Sequence, residues 1–322
     1  MKVASNLVYG PPDTIRIRDV PKPEPKPREV LVKVMYSSVN RTDDGFLRAK
    51  PAIVRLFAGL TKPRYPSLGC EFSGVVAEVG EAVKGFKVGD KVFGFDDQRF
   101  GGHAEYKVIG ADKMIVKMPQ NVSFKQAAAA LEGAHYALFY MYKIPSTAKV
   151  IFVNGATGAI GSAAIQMLKA EGYKVEASST TKQVSMVKKL GADKVVDWQK
   201  QDISEEASKC DVYFDAVGKS RFSEARKILR PGGLYMSSEL GPGGQNPLLS
   251  LINPTQRLFT QKNIKFPVPQ TRKREAERVL SYLSKGEYVP LIDREYSMKD
   301  ITKAFKYVES GEKVGNVVIR IT

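Results

Sequence analysis

The stretch "KVIFVNGATGAIGSAAIQMLKAEG" at residues 149–172 decides the fold of this chain. Residues 149–153 form a short apolar run that is typical of a buried strand. A glycine-rich turn follows at 154–161, and the next residues have a helical pattern that ends at Gly172, a C-terminal capping residue. A strand, a glycine turn and a helix in this order predict a binding site for a phosphorylated ligand.

The spacing of the turn narrows the choice of ligand. The dinucleotide fingerprint GxGxxG falls on Ala156–Gly161 and reads AxGxxG, with Ala156 in the first place. Gly158 lets the backbone approach a pyrophosphate, and Gly161 lets the helix pack closely on the strand. The turn therefore predicts a dinucleotide site, and a purely structural turn is the alternative.

Strands and helices alternate after residue 122. The predicted strands are 149–153, 173–179, 194–198, 211–218, 234–240 and an edge strand at 263–269, and the predicted helices are 158–172, 182–191 and 222–233. Alternation of this kind requires parallel crossovers, and so predicts a doubly wound parallel sheet.

The first 120 residues are instead rich in strands. Valine-rich segments at 29–39, 71–80, 90–95 and 104–109 are flanked by Gly, Pro or Asp. The Pro/Lys-rich segment 21–29 is expected to be a linker, because proline at alternate positions cannot continue a ladder of hydrogen bonds. Short strands of this kind predict a compact barrel-like domain.

The end of the second predicted strand indicates which dinucleotide binds. An acidic residue there accepts hydrogen bonds from a free ribose 2′-hydroxyl, whereas this chain has "SSTTK" at 178–182. Hydroxyl groups and the Lys182 ammonium suit a 2′-phosphate, so we expect NADPH rather than NADH. Glu176 lies earlier in the strand, too deep to reach the ribose. Capping of the following helix by the serines is the alternative.

Composition and charge exclude several classes of protein. The chain is 43% hydrophobic and 26% charged, and it has no apolar run long enough for a membrane span. The net charge of +16 predicts a solvated basic surface that attracts an anionic cofactor, in preference to a nucleic-acid-binding face.

Cys70 and Cys210 are the only cysteines and neither lies in a CxxC, so we expect neither disulfides nor an all-cysteine zinc site. With no apolar core for a secretory signal near the N-terminus, we expect a cytoplasmic location.

An ordered set of segments resembles one superfamily. The segments are "SSVNRTDDGF" (37–46), "LGCEFSGVVAEVG" (68–80), "FKVGDKVFGF" (86–95), "GGHAEYKV" (101–108), "VNGATGAIGSAAIQMLK" (153–169), "LGADKVVDW" (190–198), "FDAVGK" (214–219) and "GNVVI" (315–319). In their order and spacing they look like those of a medium-chain dehydrogenase/reductase, and more closely like those of its zinc-independent quinone oxidoreductase (zeta-crystallin-like) branch. The resemblance implies a GroES-like β-barrel catalytic domain at 1–121 and 270–322, and a Rossmann domain at 122–269. It also implies a cleft where the domains meet and a homodimer.

Departures from the zinc-dependent relatives bear on the chemistry. Where those relatives hold a catalytic metal, this chain has Asn40, Cys70 and, at the third place, a residue near Ala128. One thiol beside Glu71 is a poor zinc site, because a catalytic zinc takes three protein ligands. Without a Lewis acid, hydride addition to a conjugated carbonyl is less demanding than alcohol oxidation. We therefore expect a quinone, an enone or an enal as the substrate.

The resemblance also implies roles for individual residues. Asn40 would line the nicotinamide end of the cleft and donate to a substrate oxygen, while Asp43 would organise its loop. Phe46 and Tyr65 would wall the substrate pocket, and His135 would lie next to the nicotinamide with either a chemical or a packing role. The residues implied at the cofactor are Gly155, Ala156, Thr157, Gly158, Ala159 and Ile160 at the pyrophosphate, Ser179 and Lys182 at the 2′-phosphate, Trp198 near the adenosine, Gly218 and Ser237 near the nicotinamide ribose, and Asn316 in place of a lysine of many relatives.

These observations lead to one expected function and two alternatives. We expect an NADPH-dependent oxidoreductase that transfers a hydride to a quinone or an α,β-unsaturated carbonyl. The first alternative is an NADP-dependent alcohol dehydrogenase. The second is a protein that carries NADPH and uses its basic surface to bind RNA or another acidic partner.

Overall fold

The computed structural model describes residues 1–322. Its strands are β1 (Lys2–Ser5), β2 (Arg16–Asp19), β3 (Glu29–Val39), β4 (Glu71–Val79), β5 (Lys91–Phe95), β6 (Tyr106–Gly110), β7 (Ile115–Lys117), β8 (Val150–Asn154), β9 (Lys174–Ser179), β10 (Lys194–Asp197), β11 (Cys210–Asp215), β12 (Leu229–Met236), β13 (Asn263–Lys265), β14 (Ile292–Ser297) and β15 (Asn316–Arg320).

Twelve α-helices accompany these strands. They are α1 (Arg41–Arg48), α2 (Val54–Ala58), α3 (Phe124–Ala127), α4 (Glu132–Met141), α5 (Ala159–Ala170), α6 (Val184–Lys189), α7 (Ile203–Glu206), α8 (Phe222–Ile228), α9 (Gln245–Leu251), α10 (Asn253–Thr260), α11 (Lys273–Ser284) and α12 (Ile301–Ser310). None of them is long and apolar enough to cross a membrane.

The chain forms two compact units. The first unit contains residues 1–132, 271–286 and 290–322, and the second contains residues 133–270 and 287–289. Each unit has its own hydrophobic core. In the first, strand residues such as Val32 and Phe72 pack against Phe305 of α12, and in the second Phe152 packs with Tyr213 and Tyr235.

The first unit is built on a seven-stranded sheet with the order β14-β15-β3-β4-β5-β7, in which β6 also pairs with β3. All of its pairs are antiparallel except β14 with β15. The long strand β3 spans residues 29–39, as the valine pattern predicts, because it is paired with three neighbours and its inward residues are fully buried.

The second unit is a six-stranded parallel sheet with the order β10-β9-β8-β11-β12-β13. The predicted fold class, a doubly wound parallel sheet plus a GroES-like domain, is confirmed. The chain leaves β8 in one direction through β9 and β10, and then returns to its other side through β11, β12 and β13. This reversal places a crevice at the carboxyl ends of β8 and β11, the usual position of a ligand in such a sheet.

Several element boundaries differ from the sequence prediction. The strand expected at 234–240 is β12, which ends at Met236, and the edge strand expected at 263–269 ends at Lys265. The helix expected at 222–233 ends at Ile228, and β12 begins at Leu229. Pro231 explains the early end, because the residue before a proline is disfavoured in a helix. The strand expected at 211–218 ends at Asp215, whose carboxylate binds backbone amides of the following turn.

Candidate functional site

The glycine turn joins β8 to α5 with an open space in front of the helix. Gly155 has φ +82°, a conformation that favours glycine, and a Cβ at Gly161 would lie 2.2 Å from the Gly155 carbonyl oxygen. A Cβ at Gly158 would approach only that same oxygen, at 3.7 Å. Gly161 is therefore required for close packing, whereas Gly158 leaves the helix N-terminus uncovered.

This open N-terminus fits a pyrophosphate. Helix α5 has 12 residues, and its first-turn amides, on Ala159, Ile160 and Gly161, have no partner four residues earlier in the helix. Those amides and the positive end of the helix dipole attract an anion, and the missing side chain at Gly158 leaves room for it to approach. The turn thus has the donors and the space that a dinucleotide phosphate requires.

Side chains at the ends of three strands brace the crevice beside the turn. The Asn154 side-chain amide donates to Asp215 Oδ1 at 3.1 Å and to Ser220 Oγ at 2.9 Å, and Asn154 Oδ1 accepts from Ser178 Oγ at 2.6 Å. These bonds tie the carboxyl ends of β8, β9 and β11 together. Ser178 is thereby committed to the scaffold.

Asp215 organises the turn that follows β11. Its carboxylate accepts from the amides of Val217, Gly218 and Ser220 at 3.0–3.3 Å and from the Tyr235 hydroxyl at 3.1 Å. Burial raises the pKa of this carboxyl, and its hydrogen bonds oppose the rise. Gly218 has φ +65°, and a Cβ there would lie 2.2 Å from the Glu239 side chain. The Gly218 backbone is thus held in a close turn.

The residues proposed for the 2′-phosphate, Ser179 and Lys182, lie at the end of β9 and just after it. Lys182 is exposed and has no hydrogen bond or ion pair within the chain, so its ammonium can bind a ligand. Ser179 is buried and its hydroxyl donates to the Thr180 carbonyl at 3.3 Å. Thr181 Oγ1 donates to Asp197 Oδ2 at 2.6 Å, which keeps that carboxylate engaged near the segment.

Glu176 does not compete for the ribose. Its side chain is buried, and its Oε2 accepts from the Ser208 amide at 2.9 Å. Trp198 is 53% exposed and therefore is not a core residue. Its amide donates to the Ser179 carbonyl at 3.2 Å, which places the tryptophan beside the proposed phosphate site.

The remaining residues proposed around the nicotinamide have varied surroundings. Ser237 is buried and its hydroxyl accepts from the Glu239 amide at 3.2 Å. His135 is buried on α4 and its ring packs edge-on against Tyr136 and Phe139. Asn316 lies in the first unit, where its side-chain amide donates to the Leu291 carbonyl at 3.0 Å. The roles of all three stay predictions.

The first unit contains a buried polar network around Asn40, which we call the Asn40 network. Lys313 Nζ donates to Asn40 Oδ1 at 3.2 Å, and Asn40 Nδ2 donates to Asn316 Oδ1 at 3.3 Å and Ser38 Oγ at 3.4 Å. Ser38 Oγ in turn donates to Glu71 Oε2 at 2.9 Å. Residues from β3, β4 and β15 and from the loop before β15 thus meet at one point.

Thr42 and Glu132 complete the network, and burial shifts the pKa values of Glu132 and Lys313 toward neutral pH. Thr42 Oγ1 donates to Glu132 Oε1 at 2.6 Å, and the Glu132 amide donates to Glu71 Oε1 at 3.3 Å. Burial raises the pKa of Glu132 to about 7, and the Asp43 carboxylate contributes to the rise. Burial lowers the pKa of Lys313 to about 8, while Glu132 opposes the drop.

Asp43 and Cys70 have structural surroundings. Asp43 caps α1, because its Oδ2 accepts from the Asn40 amide at 2.9 Å and its Oδ1 from the Cys70 amide at 3.0 Å. Burial raises the pKa of the Cys70 thiol well above its usual range, and the Asp43 carboxylate adds to this, so the thiolate is disfavoured. No group of three or more His, Cys, Asp or Glu side chains in residues 1–322 is arranged to hold a metal ion.

A cavity of about 360 Å³ lies in the first unit, a size typical of small-molecule sites. Both residues proposed as pocket walls, Phe46 and Tyr65, line it, together with Phe57, Leu68 and Phe100. The Phe46 and Phe100 rings meet edge-on, with centroids 4.5 Å apart. This lining suits the apolar part of a ligand.

Sequence reasoning missed Glu132 and Lys313. Glu132 interrupts an otherwise apolar run at 127–142, whereas no local pattern marks Lys313. The one available signal was a charged residue inside a segment that is otherwise apolar, since such a charge is buried only when it is paired or functional.

Comparisons with known proteins agree with this architecture. Residues 26–120 match the family profile of the alcohol dehydrogenase GroES-like domain, and residues 190–319 match that of zinc-binding dehydrogenases. The chain is 30% identical to a 2-methylene-furan-3-one reductase of Solanum lycopersicum, over 99% of this chain and 79% of the relative. It is 28% identical to a chloroplastic NADPH-dependent alkenal/one oxidoreductase of Arabidopsis thaliana, over 97% of this chain and 77% of the relative.

A solved structure shares the fold over the full length. The quinone oxidoreductase from Coxiella burnetii superposes with a TM-score of 0.85 at 23% identity, covering 100% of this chain and 99% of the other.

Proposed function

This chain belongs to the medium-chain dehydrogenase/reductase superfamily, in its quinone oxidoreductase branch, and we propose that it catalyses the NADPH-dependent reduction of a quinone or an α,β-unsaturated carbonyl compound. The observation that carries the proposal is the match along 99% of the chain to a reductase of 2-methylene-furan-3-one, a ketone conjugated to a carbon–carbon double bond. The enzymatic class follows from the same relatives, which are quinone and enone oxidoreductases.

The second unit would bind the cofactor through its backbone and a few polar groups. The amides at the start of α5 hold the pyrophosphate in the space that Gly158 leaves open. Lys182 pairs with the 2′-phosphate, beside the Ser179 backbone, while the neighbouring Asp197 carboxylate accepts a hydrogen bond from Thr181. The backbone at Gly218, held by Asp215, and the segment at Ser237 would border the nicotinamide ribose.

The first unit would bind the acceptor. NADPH supplies a hydride from C4 of its nicotinamide ring when it is bound. The cavity lined by Phe46, Tyr65 and Phe100 holds the apolar part of the acceptor. The resemblance implies that Asn40 lines the nicotinamide end of the substrate site, so the Asn40 network would lie beside the reacting atoms of the acceptor.

A panel of acceptors tests this function directly. Oxidation of NADPH is measured with quinones, enones and enals, and reduction of NADP⁺ is measured with primary and secondary alcohols, with added zinc and with a chelator. We expect turnover with the conjugated acceptors and no dependence on zinc. Alcohol oxidation that zinc stimulates and a chelator abolishes would favour the alcohol dehydrogenase instead. Salt-sensitive RNA binding without any turnover would favour the RNA-binding alternative.

We further propose that the chain is a homodimer and that it works in the cytoplasm. Helices α9 and α10 expose large apolar side chains, among them Leu251 at 80% and Phe259 at 84%, and such a patch is typical of a surface that a partner covers. Leu251→Glu combined with Phe259→Glu should convert a dimer to a monomer in sedimentation experiments. Two free, buried cysteines are compatible with a reducing compartment.

A further inference from the structure

Two polar positions in the Asn40 network have no partner. A lysine ammonium has three hydrogens, and Lys313 uses two of them, toward Asn40 Oδ1 at 3.2 Å and the Gly315 carbonyl at 2.6 Å. Glu132 uses Oε1 to accept from Thr42, while its Oε2 is buried without a hydrogen-bond partner. One donor and one acceptor therefore remain for something else.

Asn40 itself has no donor to spare. The hydrogens of its amide are shared among the Asn316 side chain, the Ser38 hydroxyl and the Glu132 carboxyl group, and its oxygen accepts from Lys313. An asparagine in this state can position a neighbouring group but cannot also donate to a ligand. The third hydrogen of Lys313 is therefore the donor that the network can offer.

We propose that Lys313 is the general acid of this reductase and that Glu132 returns the proton to it. The proposal rests on the proposed function, because it requires a reaction that ends in protonation. It assigns a chemical role to two residues that the sequence did not single out.

The reaction adds a hydride and a proton across the carbon–carbon double bond of the enone. The hydride forms a carbon–hydrogen bond at the β-carbon of the enone, and the electron pair of the carbon–carbon double bond moves to the enolate. An N–H bond of Lys313 then breaks as a carbon–hydrogen bond forms at the α-carbon, which leaves a saturated ketone and a neutral amine. The Glu132 carboxylate then takes a proton from water and passes it to the amine, which restores the ammonium of Lys313 and the carboxylate of Glu132.

The charges around Lys313 suit a proton donor that works near neutral pH. Glu132 and Asp293 raise the pKa of Lys313, whereas burial and the Arg41 guanidinium lower it, so that the pKa is about 8. Around Glu132, burial and the Asp43 carboxylate raise the pKa, whereas hydrogen bonds from the Thr42 hydroxyl and the Asn40 amide, together with the charge of Lys313, lower it. General acids are most effective when their pKa lies near the working pH.

The first test compares an enone with a quinone as acceptor. Lys313→Met should lower kcat for the enone by about 100-fold, the usual contribution of a general acid. It should lower kcat for the quinone by less than about threefold, because water readily protonates the hydroquinone oxygen, whereas an enolate carbon takes up its proton slowly. The control is Lys299→Met, which removes an exposed lysine of the same unit and should leave both rates unchanged.

A second variant keeps the test decisive if Lys313→Met does not fold. Lys313→Arg retains the cation but cannot release its proton at neutral pH. It should therefore show the same selective loss on the enone, while the dissociation constant of NADPH, measured by fluorescence titration, stays within about twofold of wild type. Equal losses on both acceptors would mean that Lys313 is only structural.

The pH profile tests the role of Glu132. The wild-type kcat on the enone should fall as the pH rises through about 8, because the ammonium form of Lys313 is lost. Glu132→Gln removes an anion that raises the pKa of Lys313, so the falling limb should move about one pH unit lower. An unmoved limb would overturn the proposal. A wild-type enzyme that reduces neither acceptor would overturn the proposed function first, so the two failures are distinguishable.

Discussion

Replacing Gly158 by alanine should weaken cofactor binding without harming the fold. Gly158 has φ −74° and ψ 170°, a conformation open to every residue, and the added Cβ would come no closer than 3.7 Å to another atom of the chain. The substitution should therefore stabilise the free protein by about 0.4–1 kcal/mol, since it restricts the unfolded chain. The methyl group would, however, stand where the pyrophosphate approaches the α5 amides.

The loss can be worked out from that contact. One charge-assisted hydrogen bond between a backbone amide and a phosphate contributes about 1.5–3 kcal/mol, so the dissociation constant of NADPH should rise about 10- to 150-fold. Gly161→Ala is the matched control, because its Cβ would lie 2.2 Å from the Gly155 carbonyl oxygen and should lower the melting temperature of the free protein. Fluorescence titration and thermal unfolding of both variants decide the matter. Wild-type affinity in Gly158→Ala would refute the assignment of this turn to the pyrophosphate.

Two further substitutions test the cofactor unit. Lys182→Ala should raise the Michaelis constant for NADPH about fivefold, because a solvent-exposed ion pair is worth about 1 kcal/mol, and it should leave the Michaelis constant for NADH unchanged. The control is Lys188→Ala, which removes an exposed lysine nearby and should alter neither Michaelis constant. Equal effects of Lys182→Ala on both cofactors would contradict the 2′-phosphate role. Asp215→Asn should lower the free energy of unfolding by about 3 kcal/mol in denaturant titrations. The buried carboxylate accepts hydrogen bonds from three backbone amides, and the substitution would place the NH₂ group of an asparagine against those donors. Unchanged stability would mean that Asp215 does not organise the turn after β11.

Much of the fold could be predicted because local patterns and tertiary packing agree. The valine-rich segment 29–39 is a strand over its full length, and the glycine turn joins a strand to a helix as its spacing indicates. Segment 263–269 was expected at the edge of the sheet, and β13 pairs only with β12. Where the prediction failed, as in the helix expected at 222–233, one proline outweighed the periodicity of its neighbours.

The Asn40 network could not be predicted from the sequence. Its members come from segments around residues 40, 71, 132 and 313, which only the folded chain brings together. Burial, which raises the pKa of Glu132 and lowers that of Lys313, is a property of the tertiary structure. For the same reason, the sequence could suggest Asn40 as a donor but could not show that its amide is already engaged.

The most direct test of the central claim follows the hydride itself. NADPH that carries deuterium at both C4 positions is mixed with the enzyme and an enone, and the product is analysed by NMR. The account predicts a saturated ketone with deuterium at the β-carbon and a solvent hydrogen at the α-carbon. Deuterium at the carbonyl carbon of an allylic alcohol, or a product without deuterium, would contradict it.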